Sequence, residues 1–188
     1  MGLIHPVPEL PTELRTERLL LRRWRLSDRA AFAALNSDPR VMEFFPAVLS
    51  REESDATCDR IETRFAELGF GLWAAQTQTA DFIGFIGLSV PHYETHFTPC
   101  IEIGWRLAFD WWGQGLATEG AHAVMAFARD SLGAAEVVAM TATINARSRR
   151  VMEKLHMRHD PADDFAHPLV PACHRVCPHV LYRRRFAR

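Results

Sequence analysis

The stretch Ile101–Gly133, IEIGWRLAFDWWGQGLATEGAHAVMAFARDSLG, decides the fold because it joins a strand to a long helix through a glycine-rich turn. Side chains of two kinds alternate from Ile101 to Leu107, which is the pattern of a strand with two unlike faces. After Gly115 the apolar residues recur every three or four positions, and this spacing predicts an amphipathic helix that ends at Gly133. Free amides and the helix dipole at such a turn favour an anion such as a pyrophosphate.

The flanking sequence predicts an α/β fold with a mixed sheet, in which hairpins come first and a helical crossover comes later. Ser27-Asp28 is expected to cap the first helix, and Ser50 the second. In chain order we predict a strand at 18–25, helices at 28–36 and 50–68, strands at 71–77, 81–90 and 101–109, a helix at 115–133, a strand at 135–143, a helix at 145–155 and a strand at 179–186.

The composition indicates one soluble domain over residues 1–188, because 48% hydrophobic residues suffice for a substantial core. Residues 1–14 are expected to form an extended arm, since their three prolines oppose regular pairing. A net charge of −1 argues against a nucleic-acid partner, and no apolar run is long enough to cross a membrane. Four cysteines without an apolar leader lead us to expect reduced thiols and a cytoplasmic location.

The glycine-rich turn matches neither of two common phosphate-binding motifs. The chain lacks GxxxxGK[ST], and a GxGxxG fingerprint would need glycine at Thr118. A GxG turn alone is also typical of a plain tight connection. The turn does satisfy the pattern Q/R-x-x-G-x-G/A at Gly115 and Ala117, although Trp112 occupies its first position.

On these residues the run GWRLAFDWWGQGLATEG at 104–120 resembles the GNAT superfamily of acetyl-CoA-dependent N-acetyltransferases. Within it, the run is similar to the branch of ribosomal-protein N-terminal acetyltransferases (RimJ/RimL-like). Asn145-x-x-Ser148, followed by VMEKL at 151–155, looks like the second signature of that branch, and the segments at 164–168 and 179–183 look like its C-terminal part. The likeness spans roughly residues 15–185. It departs from the pattern where His156 replaces glycine and Gly120 replaces alanine.

The resemblance implies a splayed, mostly antiparallel sheet flanked by helices, with acetyl-CoA as the acetyl donor. The pantetheine arm would lie between the strands at 101–109 and 136–143. The residues that the resemblance assigns to acetyl-CoA are Leu107, Ala108 and Phe109 for pantetheine, Gln114, Gly115, Leu116, Ala117 and Thr118 for the pyrophosphate, and Asn145 nearer the thioester.

The predictions of a substrate pocket for the acceptor and of no metal site depend on weaker sequence patterns. Phe44 and Phe45 are candidates for the wall of a substrate pocket, although two core aromatics would look the same. No metal is expected, because the cysteines and histidines at 173–179 lack the usual zinc-ligand spacing.

Acyl transfer to an amine requires a base, since a free amine is mostly protonated at neutral pH. Glu102 is the candidate base because it projects on the same strand face as Gly104, although a solvated strand glutamate would show the same pattern. A backbone N–H near Leu107 is expected to stabilise the oxyanion. Ser148 is the candidate acid for the departing thiolate, with a core hydroxyl bonded to its own helix as the alternative.

The sequence therefore predicts an N-acetyltransferase that moves acetyl from acetyl-CoA to a primary amine in a ternary complex. The acceptor is either a protein N-terminus or a small-molecule amine. The alternative is a non-catalytic, CoA-binding regulatory module. The oligomeric state stays open, and a homodimer is compatible with the sequence.

Overall fold

A computed structural model describes residues 10–186. Within that range one sheet of nine strands is flanked by four α-helices. The strands are β1 (Leu14–Arg15), β2 (Leu20–Arg22), β3 (Leu72–Gln76), β4 (Gly84–Ser89), β5 (Glu102–Leu107), β6 (Glu136–Ala142), β7 (Arg158–His159), β8 (Phe165–Ala166) and β9 (Pro178–Arg185). The helices are α1 (Asp28–Ser37), α2 (Arg51–Leu68), α3 (Leu116–Asp130) and α4 (Ala146–Lys154).

The sheet is antiparallel except at its centre. Its strand order is β1-β2-β3-β4-β5-β6-β9-β7, with β8 paired to β9. Strands β5 and β6 run parallel because α3 carries the chain back across the sheet between them. These findings confirm the mixed, mostly antiparallel α/β fold.

The sheet opens along the seam between β5 and β6. Strand β5 pairs with β4 over six registered residues, whereas its register with β6 contains one pair, Glu102 with Val138. A hydrogen bond from the N–H of Val138 to the carbonyl of Ile101, at 2.9 Å, lies at the start of the seam. Beyond it the strands separate, so the backbone of β5 is left without a strand partner on that side.

Helices α2 and α3 cover one face of the sheet through an aromatic cluster. The indole of Trp73 lies edge-on to Phe65 at 5.3 Å and to Phe127 at 5.2 Å, between ring centroids. Helix α3 approaches β4 closely at Gly120, where a Cβ would lie 2.4 Å from Cδ1 of Ile86. The absence of a side chain at Gly120 therefore lets the helix seat against the sheet.

The helix ends follow the sequence in most cases. Ser50 and Glu53 form a reciprocal capping box at the start of α2, and Gly69 ends that helix in a left-handed conformation. His156 adopts a positive φ of 55° after α4, in the position where the related pattern has glycine. The chain thus accepts the left-handed conformation at a residue that usually avoids it.

The prediction that Ser27 caps α1 is wrong. Ser27 has helical backbone angles and makes no side-chain cap bond. The buried carboxylate of Asp28 instead stabilises the turn before α1, because it accepts a hydrogen bond from the N–H of Arg25 and pairs with Arg22. The first strand is also shorter than expected. Residues 1–9 of the expected arm lie outside the described range, and Leu14 already pairs with Leu21.

Candidate active site

A cavity of about 780 Å³ occupies the opening between β5 and β6. Its walls come from both separated strands, the start of α3, helix α4, the segment 41–46 that follows α1, and the segment 167–179 that leads into β9. Of the residues predicted from the sequence, the cavity is lined by Phe44, Phe45, Glu102, Leu107, Gly115, Leu116, Ala117, Thr118, Asn145 and Ser148.

The register of β5 determines which of its backbone groups face the opening. The N–H of Ala108 donates to the carbonyl of Ile83 at 2.8 Å, so even-numbered residues of β5 bond to β4. The odd-numbered residues Trp105 and Leu107 therefore direct their backbone groups toward the gap. The Leu107 carbonyl already accepts from the indole N–H of Trp112 at 2.8 Å. The free groups are then the N–H of Leu107 and both backbone groups of Trp105.

Ala108, Phe109 and Gln114 do not line the cavity. The N–H of Ala108 is used by β4, and Phe109 lies in a short 3-10 turn that is partly exposed. The carbonyl of Gln114 accepts from Arg18 at 2.9 Å, and its side-chain amide donates back to the carbonyl of Asp110. Trp105 was not predicted as a site residue. The alternation along β5 could have identified it, because Trp105 shares the backbone orientation of Leu107.

The start of α3 presents unused N–H groups. Its first internal bond runs from the N–H of Glu119 to the carbonyl of Gly115, so the amides of Leu116, Ala117 and Thr118 have no acceptor among the described residues. No side chain caps this helix, because the N-cap residue is Gly115, with φ 81°. These amides and the helix dipole fit a pyrophosphate, which is the anion that acetyl-CoA would bring.

Glu102 sits at the narrow end of the opening. Burial raises the pKa of its carboxyl from 4.5 to about 7, and a hydrogen bond from the Ser89 hydroxyl at 3.3 Å acts in the opposite direction. Gly104, two residues along the same face, leaves open space, since a Cβ there would meet no atom within 4 Å. A carboxyl that titrates near neutral pH beside open space is suited to accept a proton.

Asn145 orients Ser148 at the start of α4. The Asn145 side chain accepts from the N–H of Ser148 at 3.1 Å and donates to the Ser148 hydroxyl oxygen at 3.1 Å and to Thr141 at 2.9 Å. Asn145 is therefore largely occupied by its own helix cap. The Ser148 oxygen receives a hydrogen bond, so its own hydrogen stays available for a ligand in the cavity.

Several lining residues were not predicted as site residues. Arg106 lines the cavity from β5, and His167 and His179 line it from the far side with ring centroids 4.7 Å apart. Burial lowers the pKa of His167 to about 4, so this ring is neutral at physiological pH. Their contribution could not be read from the sequence, because it depends on how the segment 167–179 folds back over the gap.

The two tyrosines of the sequence both lie outside the cavity lining. The Tyr93 hydroxyl donates to the sulfur of Met140 at 2.8 Å, and the buried Tyr182 hydroxyl lies between Arg149 and Glu153. Across residues 10–186, no group of three or more histidine, cysteine or acidic side chains is arranged to hold a metal ion. None of the helices in that range combines the length and apolar character of a membrane span.

Comparison with known proteins identifies the family of the chain. The model of the acetyltransferase (GNAT) domain matches residues 18–158. An Aspergillus fumigatus protein named FsC-acetyl coenzyme A-N(2)-transacetylase is 32% identical over 155 residues, which cover 78% of this chain and 65% of that relative. The chain therefore spans just under two thirds of the fungal protein's length.

Solved structures share the fold. An acetyltransferase from Agrobacterium tumefaciens superposes with a TM-score of 0.74 at 24% identity, covering 99% of both chains. The self-immunity acetyltransferase MccE, solved with acetyl-CoA and AMP, superposes with a TM-score of 0.75 at 12% identity, covering 96% of this chain and 99% of MccE. The family match over most of the sequence, on a sheet that opens at its centre, shows that this chain belongs to the acetyltransferase (GNAT) domain family.

Proposed function

We propose that this protein transfers the acetyl group of acetyl-CoA to the nitrogen of a primary amine while both substrates are bound. The observation that carries the proposal is Glu102, a carboxyl that lines the opening between β5 and β6 beside Gly104 and whose pKa burial raises to about 7. The name of the fungal relative supports N-acetylation with acetyl-CoA as donor. The RimJ/RimL-like branch remains a prediction from the sequence.

The donor would be held by backbone groups. The amides of Leu116, Ala117 and Thr118 would bind the pyrophosphate, and the free backbone groups of Trp105 would pair with the pantetheine arm. The N–H of Leu107 faces the same gap and is available to stabilise the developing oxyanion. Acetyl-CoA would supply an activated acyl group, and these groups would hold it in line with the acceptor.

Proton transfer would use two side chains at opposite walls. As the amine nitrogen forms its bond to the carbonyl carbon and the carbon–sulfur bond breaks, the amine proton passes to the Glu102 carboxylate, directly or through water. The departing thiolate takes the hydroxyl proton of Ser148, which Asn145 leaves free by donating to the oxygen. Ser148 regains a proton from solvent and the Glu102 carboxyl releases its proton to solvent, so both residues return to their starting state.

The test is Glu102→Gln, measured by release of the free thiol of CoA over a panel of primary amines. We expect kcat to fall by about 10²–10⁴-fold, the usual range for loss of a general base, with CoA affinity within about twofold of wild type. Glu62→Gln on the outer surface of α2 is the matched control, because Glu62 pairs with Arg23 away from the cavity. It should leave both quantities unchanged.

Two results would contradict the proposal in different ways. Full turnover by Glu102→Gln would remove Glu102 as the base. CoA binding without turnover of any amine by the wild-type protein would instead favour the non-catalytic CoA-binding module.

A further inference from the structure

Arg106 is a half-buried cation in the cavity wall, and none of the described carboxylates pairs with it. From its surroundings we infer that the acceptor amine also carries an oxyanion, a carboxylate or a phosphate, and that Arg106 binds this group. The inference rests on the proposed function and narrows its substrate class. It disfavours polyamines, which carry cationic groups only.

The hydrogen bonds of the Arg106 guanidinium are incomplete. Nη1 donates to Oδ1 of Asn36 at 2.6 Å, which is a neutral amide. Nε is fully enclosed and has no hydrogen-bond partner, and no carboxylate within residues 10–186 lies within 4.0 Å of the group. Nη2 makes no hydrogen bond either, so it is the donor left for a ligand in the cavity that Arg106 lines.

The surroundings hold this group rigidly in place. The Asn36 side chain that receives Nη1 is fully buried, and its amide donates to the buried Ser54 hydroxyl at 2.9 Å. The guanidinium lies 4.0 Å from the ring centroid of Phe45 and 5.4 Å from that of Phe85. Stacking and one fixed hydrogen bond pre-orient the cation for a ligand and reduce the entropy lost on binding.

Arg22 shows how this chain satisfies an arginine whose role is structural. Arg22 is 2% exposed and forms two parallel hydrogen bonds with Asp28, at 2.8 and 2.9 Å. Its remaining donors reach Gln76 and two backbone carbonyls. Arg106 has one such bond in place of five, and this difference marks a site whose partner comes from outside the chain.

The loss of hydration at the guanidinium of Arg106 favours an anionic partner. An ion that is removed from water without a counterion is strongly destabilised, so buried charges in proteins are paired. Burial lowers the pKa of Arg106 to about 10, which leaves the group charged at neutral pH. An incoming oxyanion would relieve that penalty and would form a charge-assisted hydrogen bond with Nη2.

The spacing along β5 sets the size of the acceptor. Glu102, Gly104 and Arg106 project on one face of the strand, and the Cα atoms of the two charged residues are about 13 Å apart at about 3.3 Å per residue. Both side chains extend into the same cavity. An acceptor that spans them would have several bonds between its amine and its oxyanion, as diamino acids that react at the side-chain amine and phosphorylated amines do.

The experiment compares amines in pairs that differ in the oxyanion, with CoA release as the readout. Lysine against cadaverine and ornithine against putrescine test a carboxylate, and phosphoethanolamine against ethanolamine tests a phosphate. We expect kcat/KM to be about 10–100-fold higher for one of the two anionic classes, the range that one to two charge-assisted hydrogen bonds provide. Arg106→Gln should bring that ratio close to one, and Arg106→Lys should retain part of it.

Arg23→Gln is the matched control, since Arg23 also lies over an aromatic ring, at 4.3 Å from the centroid of Phe65, but outside the cavity. It should keep the wild-type ratio. Thermal unfolding of Arg106→Gln should show a melting temperature close to that of wild type, because removal of an uncompensated charge offsets the lost hydrogen bond to Asn36.

Equal kcat/KM for every pair in the wild-type protein would overturn the inference, although amine acetylation itself would stand. A proportional loss for both members of each pair in Arg106→Gln would also overturn it, as would a fall in CoA affinity, which would assign the charge to the donor. Absence of CoA release with every amine would refute the proposed function, and this inference with it.

Discussion

Gly87 and Gly104 lie opposite each other on β4 and β5, yet they lack a side chain for different reasons. A Cβ at Gly87 would lie 2.2 Å from the carbonyl oxygen of Gly71 and 2.6 Å from the Cα of Leu72. A Cβ at Gly104 would meet no atom within 4 Å. The first glycine lets two strands approach, whereas the second keeps space free for a ligand.

The same contrast divides the two edges of β5. On the β4 side, six residue pairs bring the strands into register, and on the β6 side one pair is followed by a cavity. The closed edge therefore contributes to stability, and the open edge lines the cavity in which we propose that the reaction takes place. Substitutions at the two glycines should separate these contributions.

The largest expected effect is on folding, from Gly87→Ala. The new methyl group would overlap backbone atoms that cannot move without breaking the β3–β4 pairing, so we expect a loss of about 3 kcal/mol or more in the free energy of unfolding. Urea denaturation followed by circular dichroism measures this loss. The matched control is Gly104→Ala, which should be neutral or stabilising by up to about 1 kcal/mol.

If both alanine variants were equally stable, the close approach at Gly87 would be refuted as the reason for that glycine. If Gly104→Ala were the less stable of the two, the open space beside Glu102 would be refuted.

The next effect is on donor binding, from Gly104→Leu. A leucine side chain there would extend into the opening between β5 and β6 without meeting the chain at its first carbon. We expect CoA affinity to fall by about 100-fold, or about 3 kcal/mol, while the urea midpoint stays close to that of wild type. Isothermal titration with CoA measures the affinity. Unchanged affinity would show that the donor lies elsewhere.

The sequence predicts the elements that depend on local patterns. The amphipathic period of α3, the Ser50 cap of α2 and the apolar run of β6 are each recorded in consecutive residues, and each is found where expected. The resemblance in the segment 104–120 also led to the family. Local signals thus suffice for these elements and for the glycine-rich turn at the start of α3.

The sequence does not predict features that depend on pairing across the chain. The resemblance assigns Ala108 to pantetheine, whereas the hydrogen bond from its N–H to the carbonyl of Ile83 turns that group toward β4. Arg106 gives no signal by itself, because its missing counterion is visible only once Asn36 and Phe45 lie beside it. The part of the cavity wall that is formed by segments 41–46 and 167–179 likewise combines residues more than a hundred positions apart.

The smallest expected effect comes from a change of charge at the open edge. It is measured as the pH dependence of the free energy of unfolding, compared between wild type and Glu102→Gln. The pKa of Glu102 is raised from 4.5 to about 7 by burial, so the folded protein holds this proton at pH values where the unfolded chain has lost it. The stability from this group is fully present below pH 4.5 and declines as pH rises to 7. The free energy of unfolding of Glu102→Gln, relative to that of wild type, should therefore rise by on the order of 2–3 kcal/mol between pH 4 and pH 8.

Activity should change in the opposite sense, because the base is the carboxylate form. Below pH 7, kcat/KM of wild type should fall about tenfold per pH unit beyond the fall due to protonation of the amine, and Glu102→Gln should show the amine limb alone. Chemical denaturation across the pH range gives the stability difference, in which the other titrating groups cancel. Parallel stability curves for the two proteins would mean that Glu102 titrates near its ordinary pKa. The opening between β5 and β6 would then be too wet to tune a base, and the contrast between the two edges of the strand would be one of shape alone.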